Sequence, residues 1–196
     1  VEGFDDKYYY GPRANGIYIP RYRPSFGAPR ASLRGFGYQG GASRQGWNRD
    51  IAEMNIGGEF KDALAEPGPW TMGIGGFGEI LPYHENKMTL DKTKKDKWGL
   101  NVIAFDADWK ENERKMRIDM KNDAIEMLEA AGVKNVKGYE GDGTIRRGIH
   151  EMGTARMGND AKTSVLNKWN QVWDAPNVFV TDVSFRVSAT CVNPSV

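Results

Sequence analysis

The chain has 196 residues, and its 27 lysines and arginines nearly balance its 26 aspartates and glutamates. A chain of this length can bury about 70% of its unfolded surface, enough for a real core. The balanced charge provides no overall field for nucleic acid or an anionic membrane, and no apolar run reaches the roughly eighteen residues that a membrane span needs. The single cysteine, Cys191, excludes an internal disulfide and a cysteine-cluster metal site, and we predict that it is a small buried hydrophobe.

The first fifty residues are rich in tyrosine, glycine and arginine, and they contain a short predicted strand at Ile17–Ile19. Residues 7–49 hold seven arginines and no acid. The stretch Arg34–Tyr38 resembles the first half of an RNA-binding motif whose aromatic residues stack on bases. Residues 39–41 are Gln-Gly-Gly, however, where that motif needs a central strand. We therefore predict a glycine-rich connection here, or alternatively a loop of a substrate cleft, and no nucleic-acid partner.

A formal dinucleotide-binding pattern, G-x-G-x-x-G, occurs at Gly73–Gly78 after a predicted short helix around Phe60–Ala65. Such a pattern binds a pyrophosphate only when a strand precedes the glycines and a helix opens on them. Here Pro67 and Pro69 precede the glycines, and residues 79–82 follow as a predicted short strand. We interpret these glycines as part of a sheet, or as lying beside one.

The next segment predicts an antiparallel hairpin. The predicted strands are Phe77–Leu81, Lys87–Leu90 and Trp98–Phe105, and a lysine-rich loop joins the last two. His84 lies in the polar turn between the first two, where a solvent-exposed histidine is the expected outcome. Metal binding would need partners that the chain's two histidines and one cysteine do not supply.

The clearest predicted helix runs from about Trp109 to Ala131. Asp108 is the expected N-cap, Glu111 would close a capping box, and Gly132 follows the end. An apolar stripe along this helix predicts a core-facing side; it comprises Met116, Met120, Ala124, Met127, Leu128 and Ala131.

His150 lies in a glycine-rich stretch, Gly148–Gly158, that leaves an imidazole room to meet a ligand. Because its pKa is close to neutrality, a histidine can take a proton from an alcohol. From the residues alone, a structural hydrogen bonder and a general base are both compatible with this position.

Four ordered blocks near the end of the chain resemble the C-terminal signature of the glucose-methanol-choline (GMC) flavin oxidoreductases. They are Gly148–Gly158, Lys162–Asn167, Asn177–Ser184 and Asn193-Pro194. The resemblance is closest to pyranose-oxidase and gluconate-dehydrogenase-type members. It implies an α+β fold, an antiparallel sheet flanked by helices, with residues 1–147 as substrate-binding domain and residues 148–196 as a segment returning to an FAD domain. It also implies that the N-terminal Rossmann FAD domain and the end of the last segment lie outside this sequence.

The same resemblance implies the roles of individual residues. His150 would be the catalytic base and Asn193 its hydrogen-bonding partner, while Asp182, Val183, Asn193 and Pro194 would approach FAD. No metal is implied. The substrate would be a sugar or polyol, oxidised at a CH–OH group, with electrons passing to oxygen, a quinone or an acceptor protein such as a cytochrome.

A second interpretation is a non-catalytic carbohydrate-binding module. Tyrosine, tryptophan and arginine side chains between residues 8 and 47 can stack on sugar rings. The presence of bound flavin distinguishes the two interpretations.

Overall fold

A computed structural model of the chain describes residues 16–21, 32–44, 57–65, 68, 70–141, 145, 150–189 and 191. These residues form three small antiparallel sheets and two α-helices. The predicted α+β class with antiparallel strands is therefore confirmed, with the strands divided among three sheets.

The largest sheet has three strands in the order β1 (Gly16–Ile19), β2 (Phe36–Arg44) and β3 (Trp70–Gly78). The prediction of a glycine-rich connection around residues 34–41 was wrong, because β2 is the central strand and pairs on both edges. Burial explains the difference. Phe36 and Tyr38 are only 2% and 0% exposed, so packing overrides the weak strand propensity of the glycines beside them.

The long helix, α2 (Glu111–Ala130), covers one face of this sheet. Phe36 and Tyr38 pack against its apolar stripe at Met116 and Met120, and the Tyr38 hydroxyl donates to the Met120 carbonyl oxygen at 2.7 Å. The predicted core stripe of α2 is thus confirmed, except that Ala131 is exposed.

The predicted start of α2 was two residues early. Lys110 is the N-cap, and Glu113 rather than Glu111 closes the cap by accepting the Lys110 N–H at 3.0 Å. Asp108 instead accepts from the Trp109 N–H just before the helix. The chain leaves the helix at Gly132, whose φ of +83° favours glycine, as predicted.

The second sheet is the predicted hairpin of β4 (Lys87–Lys95) and β5 (Asn101–Asp106). β4 extends into the stretch that was predicted as a loop, so the turn is confined to residues 96–100. Cross-strand pairing places four apolar side chains on one face, and all of them are about half or more exposed: Met88, Leu90, Ile103 and Phe105.

The remaining described elements are short. They are the helix α1 (Gly58–Ala65), the hairpin of β6 (Gln171–Val172) and β7 (Ala175–Phe179), and a 3₁₀ turn at Val183–Phe185. The predicted strand at residues 79–82 was wrong, because the chain has already left the sheet at Gly78. Among the described residues, no helix combines the length and the apolar character that crossing a membrane requires.

Two glycines of the first sheet should respond oppositely to alanine. A Cβ at Gly40 would overlap the Gly73 carbonyl oxygen and lie 2.8 Å from the Ile74 Cα, whereas a Cβ at Gly73 would meet nothing within 4 Å. Gly40→Ala should therefore lower the free energy of unfolding by about 1–3 kcal/mol, and Gly73→Ala should leave it unchanged or slightly raised. Urea denaturation of the two variants measures the difference, and equal midpoints would contradict this packing.

Candidate active site

His150 lies at the start of a loop that a short turn holds in place. The side chain is half-buried, and three residues later Gly153 reverses the chain at a φ of +80°. The N–H groups of Gly153 and Ala155 both donate to the carbonyl oxygen of Ser184, at 3.1 and 3.2 Å. The loop carrying His150 is thus attached directly to the 3₁₀ turn.

The same loop is fixed again further along the chain. Met157 donates to the carbonyl oxygen of Phe185 at 3.0 Å, and Gly158 donates to that of Leu166 at 2.9 Å. Leu166 has no exposed surface. A Cβ at Gly158 would lie 2.6 Å from the Ser164 Cβ, so this glycine permits a close approach. The second half of the Gly148–Gly158 motif is therefore held in place by backbone hydrogen bonds and close packing.

Arg156 also stabilises this loop with its side chain. Its Nε and Nη2 atoms donate to the Thr163 carbonyl oxygen at 3.0 and 2.7 Å. Its own carbonyl oxygen accepts from the N–H groups of Val165 and Leu166. We therefore interpret Arg156 as a structural residue and do not assign it to ligand binding.

Asp182 caps the 3₁₀ turn. Hydrogen bonds from the side chain and then the backbone N–H of Ser184 hold the pKa of the Asp182 carboxyl below its ordinary value of 3.8. The N–H bond is 2.8 Å long, and the carboxylate is exposed. Asp182 thus orients the residue whose carbonyl oxygen holds the His150 loop, and it remains ionised at neutral pH.

The chain after this turn is attached to the first sheet at two points. The Ala189 N–H donates to the Oε1 atom of Glu79 at 3.1 Å. The Cys191 sulfur packs against Gly37, where an added Cβ would lie 2.9 Å from it, and lies 3.7 Å from the Tyr18 hydroxyl. This contact raises the pKa of Tyr18. Cys191 is buried, as predicted.

These contacts show which face of the sheet the C-terminal segment covers. Phe36 and Tyr38 face α2, so Gly37 between them points to the opposite face, and Cys191 lies there. We call this opposite side of the sheet the open face. The cross-strand register also places Tyr18, Gln39, Gly73, Gly75 and Phe77 on it.

Away from Gly37, which Cys191 covers, the open face forms a floor that is lined mainly by glycines. Tyr18 and Phe77 are 49% and 42% exposed, and a Cβ added at Gly73 would meet no atom within 4 Å. Gln39 stands between Tyr18 and Gly75 in the register, so it places one carboxamide on a floor otherwise made largely of glycine. Such a surface can admit a flat or polar ligand close to the backbone.

The sequence-predicted site residues are only partly within the described residues. His150 and Asp182 lie on connected segments, and Val183 is half-buried in the turn beside Asp182. Asn193 and Pro194 lie outside the described residues, two and three positions after Cys191. His84 is an exposed turn residue, as expected. Gly73–Gly78 belongs to β3, so the prediction that these glycines are part of a sheet is confirmed.

Sequence reasoning did not identify Gln39 or Glu79 as site residues. The sequence Gln-Gly-Gly at residues 39–41 disfavours a strand, whereas the alternation of Phe36 and Tyr38 with glycines is typical of a strand with two different faces. Glu79 is only 5% exposed although it directly follows a strand end. Nothing in the local sequence marks that carboxylate as buried. Among the described residues, no cluster of three or more potential ligands could hold a metal ion.

Comparison with known proteins assigns a family to this arrangement. The family profile described as GMC oxidoreductase matches residues 82–196, more than half of the chain. The matched region includes α2, the loop that carries His150 and the 3₁₀ turn at Val183–Phe185. The chain belongs to the GMC oxidoreductase family.

Individual relatives agree with this family. The chain is 40% identical over 122 residues, 61% of its length, to a 2-methyl-1,2-propanediol dehydrogenase from Mycolicibacterium austroafricanum. It is 30% identical over 147 residues, 72% of its length, to a gluconate 2-dehydrogenase flavoprotein from Pantoea cypripedii. A paromamine 6'-oxidase from Streptomyces fradiae is 28% identical over 114 residues, 58% of the chain. The chain spans 21%, 24% and 21% of the lengths of these relatives.

The cap at Asp182 predicts a measurable titration. Because its folded pKa is lowered, the carboxylate contributes stability above the ordinary pKa, and this contribution is lost as pH falls through the folded value. The amide shift of Ser184, followed by NMR against pH, should therefore show a midpoint below 3.8. Ser184→Ala should raise the midpoint, since it removes the leading cause, and Ser188→Ala should not. A wild-type midpoint at or above the ordinary value would contradict the cap.

Proposed function

We propose that this chain is the substrate-binding part of an FAD-dependent oxidoreductase that oxidises CH–OH groups of sugars or polyols. One observation supports this most strongly. The continuous segment 182–191 holds the His150 loop at one end, through Ser184, and is attached to the open face at the other, through Cys191. Asn193 follows two residues later, a distance of at most about 7 Å along an extended chain. This attachment supports the proposed pairing of His150 with Asn193.

His150 is the proposed base. It takes the hydroxyl proton of the substrate as the attached carbon is oxidised, which an imidazole does efficiently near neutral pH. Three backbone hydrogen bonds attach its loop to the 3₁₀ turn. The backbone that carries the imidazole is therefore held in one position. Fixed geometry of this kind contributes to rate by holding the reacting atoms close together.

Asn193 is the proposed partner of His150. A carboxamide cannot act as a base, but its NH₂ group donates to the substrate oxygen while its carbonyl oxygen accepts a hydrogen bond. The roles are then divided, with proton removal at His150 and orientation at Asn193. The open face forms the adjoining wall, and the Gln39 carboxamide on it can bind a second hydroxyl of the same substrate.

The residues present fit one end of an FAD. The exposed, ionised carboxylate of Asp182 has acceptor capacity beyond its bond to Ser184, which suits the hydroxyls of a ribityl chain. Asp182, Val183, Asn193 and Pro194 would hold the cofactor on this side. When bound, FAD accepts the hydride that leaves the alcohol carbon.

The substrate class is proposed from both the site and the relatives. The names of three relatives specify 2-methyl-1,2-propanediol, gluconate and paromamine. A glycine floor with one carboxamide and two flanking aromatic rings suits a small polyhydroxylated ligand. Electrons would leave to oxygen, a quinone or an acceptor protein.

We further propose that residues 1–147 form the substrate-binding domain and residues 148–196 the catalytic segment of a longer polypeptide. The relatives are four to five times as long as the matched region. In such a polypeptide the flavin would be held mainly by a Rossmann domain that contributes the remaining contacts.

A second candidate is a carbohydrate-binding module without catalysis. Tyr18 and Phe77 flank the glycine floor and expose ring surface that can stack on a sugar. This function needs neither His150 nor flavin. Sugar binding that survives removal of flavin and is unaffected by His150→Ala would favour the module.

Replacing His150 provides the direct test of the enzyme. In the flavin-loaded protein, His150→Ala should retain FAD and slow flavin reduction by substrate about 10²- to 10⁴-fold, because the proton acceptor is lost. The chain's other histidine offers a matched control, since His84 lies in an exposed turn. His84→Ala should reduce flavin at the wild-type rate. Equal rates in both variants would remove His150 from the mechanism.

Replacing Gln39 tests the open face as the substrate wall. Gln39→Ala should raise KM about tenfold, the effect of losing one hydrogen bond of about 1 kcal/mol or more to substrate, with a smaller effect on kcat. Ser43→Ala is the control, because Ser43 lies on the same face of β2 but four residues further from the Cys191 contact at Gly37. Steady-state kinetics separate the two constants, and an unchanged KM would place the substrate elsewhere.

A further inference from the structure

Glu79 is a buried carboxylate at the end of β3. Glu79 is 5% exposed. A charged group with so little access to solvent must be paired within the protein. Oε1 accepts the Ala189 N–H at 3.1 Å. Oε2 is buried and makes no hydrogen bond among the described residues, and the Arg34 guanidinium Nε lies 3.9 Å from it. The carboxylate thus depends on two groups from distant parts of the chain.

The backbone that presents Arg34 is also unusual. Arg34 and Gly35 have φ values of +78° and +70°, and a left-handed arginine is disfavoured relative to glycine. Strained residues persist where the surrounding structure requires them. Here the left-handed turn immediately precedes β2, and the half-exposed Arg34 side chain lies beside the buried Glu79 carboxylate.

The other partner of Glu79 belongs to the segment that leads to Asn193. Ala189 is attached through its N–H, and Cys191 is seated against Gly37 two residues later. These two contacts bracket the last described residues before Asn193. At its other end, the same segment holds the His150 loop through Ser184 and Phe185. Residues 182–191 therefore connect the His150 loop to the first sheet.

We propose that Glu79 is a positioning residue that holds the segment 189–191 on the open face and thereby sets Asn193 against His150; this inference rests on the function proposed above. Glu79 acts through the backbone of Ala189 and does not touch the substrate. Arg34 supports it by balancing the charge on Oε2.

Three substitutions separate the parts of this role. Glu79→Ala removes both the acceptor for Ala189 and the charge beside Arg34. Glu79→Gln keeps an acceptor oxygen for the Ala189 N–H, but its amide NH₂ then faces the arginine. Glu113→Ala is the matched control, because Glu113 is equally buried, at 4%, and accepts backbone N–H groups of Leu81 and Lys110 on the helix side of the sheet.

The first measurement is the rate at which a maleimide labels Cys191. This residue is the only cysteine of the chain and is 6% exposed, so labelling reports local opening of the segment. Glu79→Ala should accelerate labelling about tenfold beyond the contribution of global unfolding, because a charge-assisted hydrogen bond is lost. Glu79→Gln should give a smaller acceleration. In Glu113→Ala, Cys191 should be labelled at the rate expected from global unfolding alone, as calculated from the urea-measured free energy of unfolding of that variant. Equal corrected rates for Glu79→Ala and Glu113→Ala would overturn the proposal.

The second measurement is the rate of flavin reduction in the flavin-loaded protein. Glu79→Ala should lower kcat about tenfold or more with little change in KM, because misplacement of an orienting group affects the transition state more than binding. Glu79→Gln should recover part of kcat. An unchanged kcat in Glu79→Ala, together with fast labelling, would overturn the positioning role while leaving the His150 mechanism intact. If instead His150→Ala reduces flavin normally, the proposed function fails, and the labelling arm still determines whether Glu79 anchors the segment.

Discussion

The structure depends on one strand that is bulky on one face and nearly empty on the other. β2 places Phe36 and Tyr38 toward α2, and these rings account for most of the tight packing of the first sheet. Between them, Gly37 leaves the space that Cys191 occupies from the opposite side. The two faces of β2 depend on each other. A side chain at position 37 would displace Cys191, and loss of the Phe36 and Tyr38 rings would remove the packing that supports the strand.

Around this strand the candidate site is assembled largely by backbone groups. Two N–H groups share the Ser184 carbonyl oxygen, and Asp182 orients that residue from the side. Glycines at positions 153 and 158 allow these approaches, one through its left-handed conformation and one through the absence of a Cβ. The part of the GMC signature around His150 thus determines the conformation of the loop that carries this imidazole. Several of its residues, among them Gly153, Arg156 and Gly158, stabilise the loop.

Much of the architecture could be predicted from the sequence because local patterns and packing agree there. The stripe of α2 repeats at helical spacing, and the stop at Gly132 follows from its backbone freedom. The start of α2 was misplaced because Asp108 and Glu111 fit a cap as well as Lys110 and Glu113 do by spacing alone. What separates them is the burial of Glu113 beneath Leu81 and Tyr83, a contact from another part of the chain.

The central strand and the anchors of the site could not be predicted in the same way. The glycines of β2 have low strand propensity, and their place in the sheet is decided by pairing with β1 and β3, which the local sequence does not show. Likewise, the contact of Glu79 with Ala189 joins residues 110 positions apart. Asp182 was assigned to the site only by a family resemblance, whereas His150 was indicated both by its glycine-rich stretch and by that resemblance.

The separation of the two sheet faces has a practical consequence for altering this protein. The core packing that stabilises the fold lies mainly between the sheet and α2. Its methionines and aromatic rings can be replaced by other apolar residues when the total volume is kept. Recognition would reside on the reverse side, where alpha-carbon hydrogens take the place of side chains. An engineer seeking heat resistance and one seeking a new specificity would therefore work on different surfaces of the same three strands, and their changes should combine with little interference.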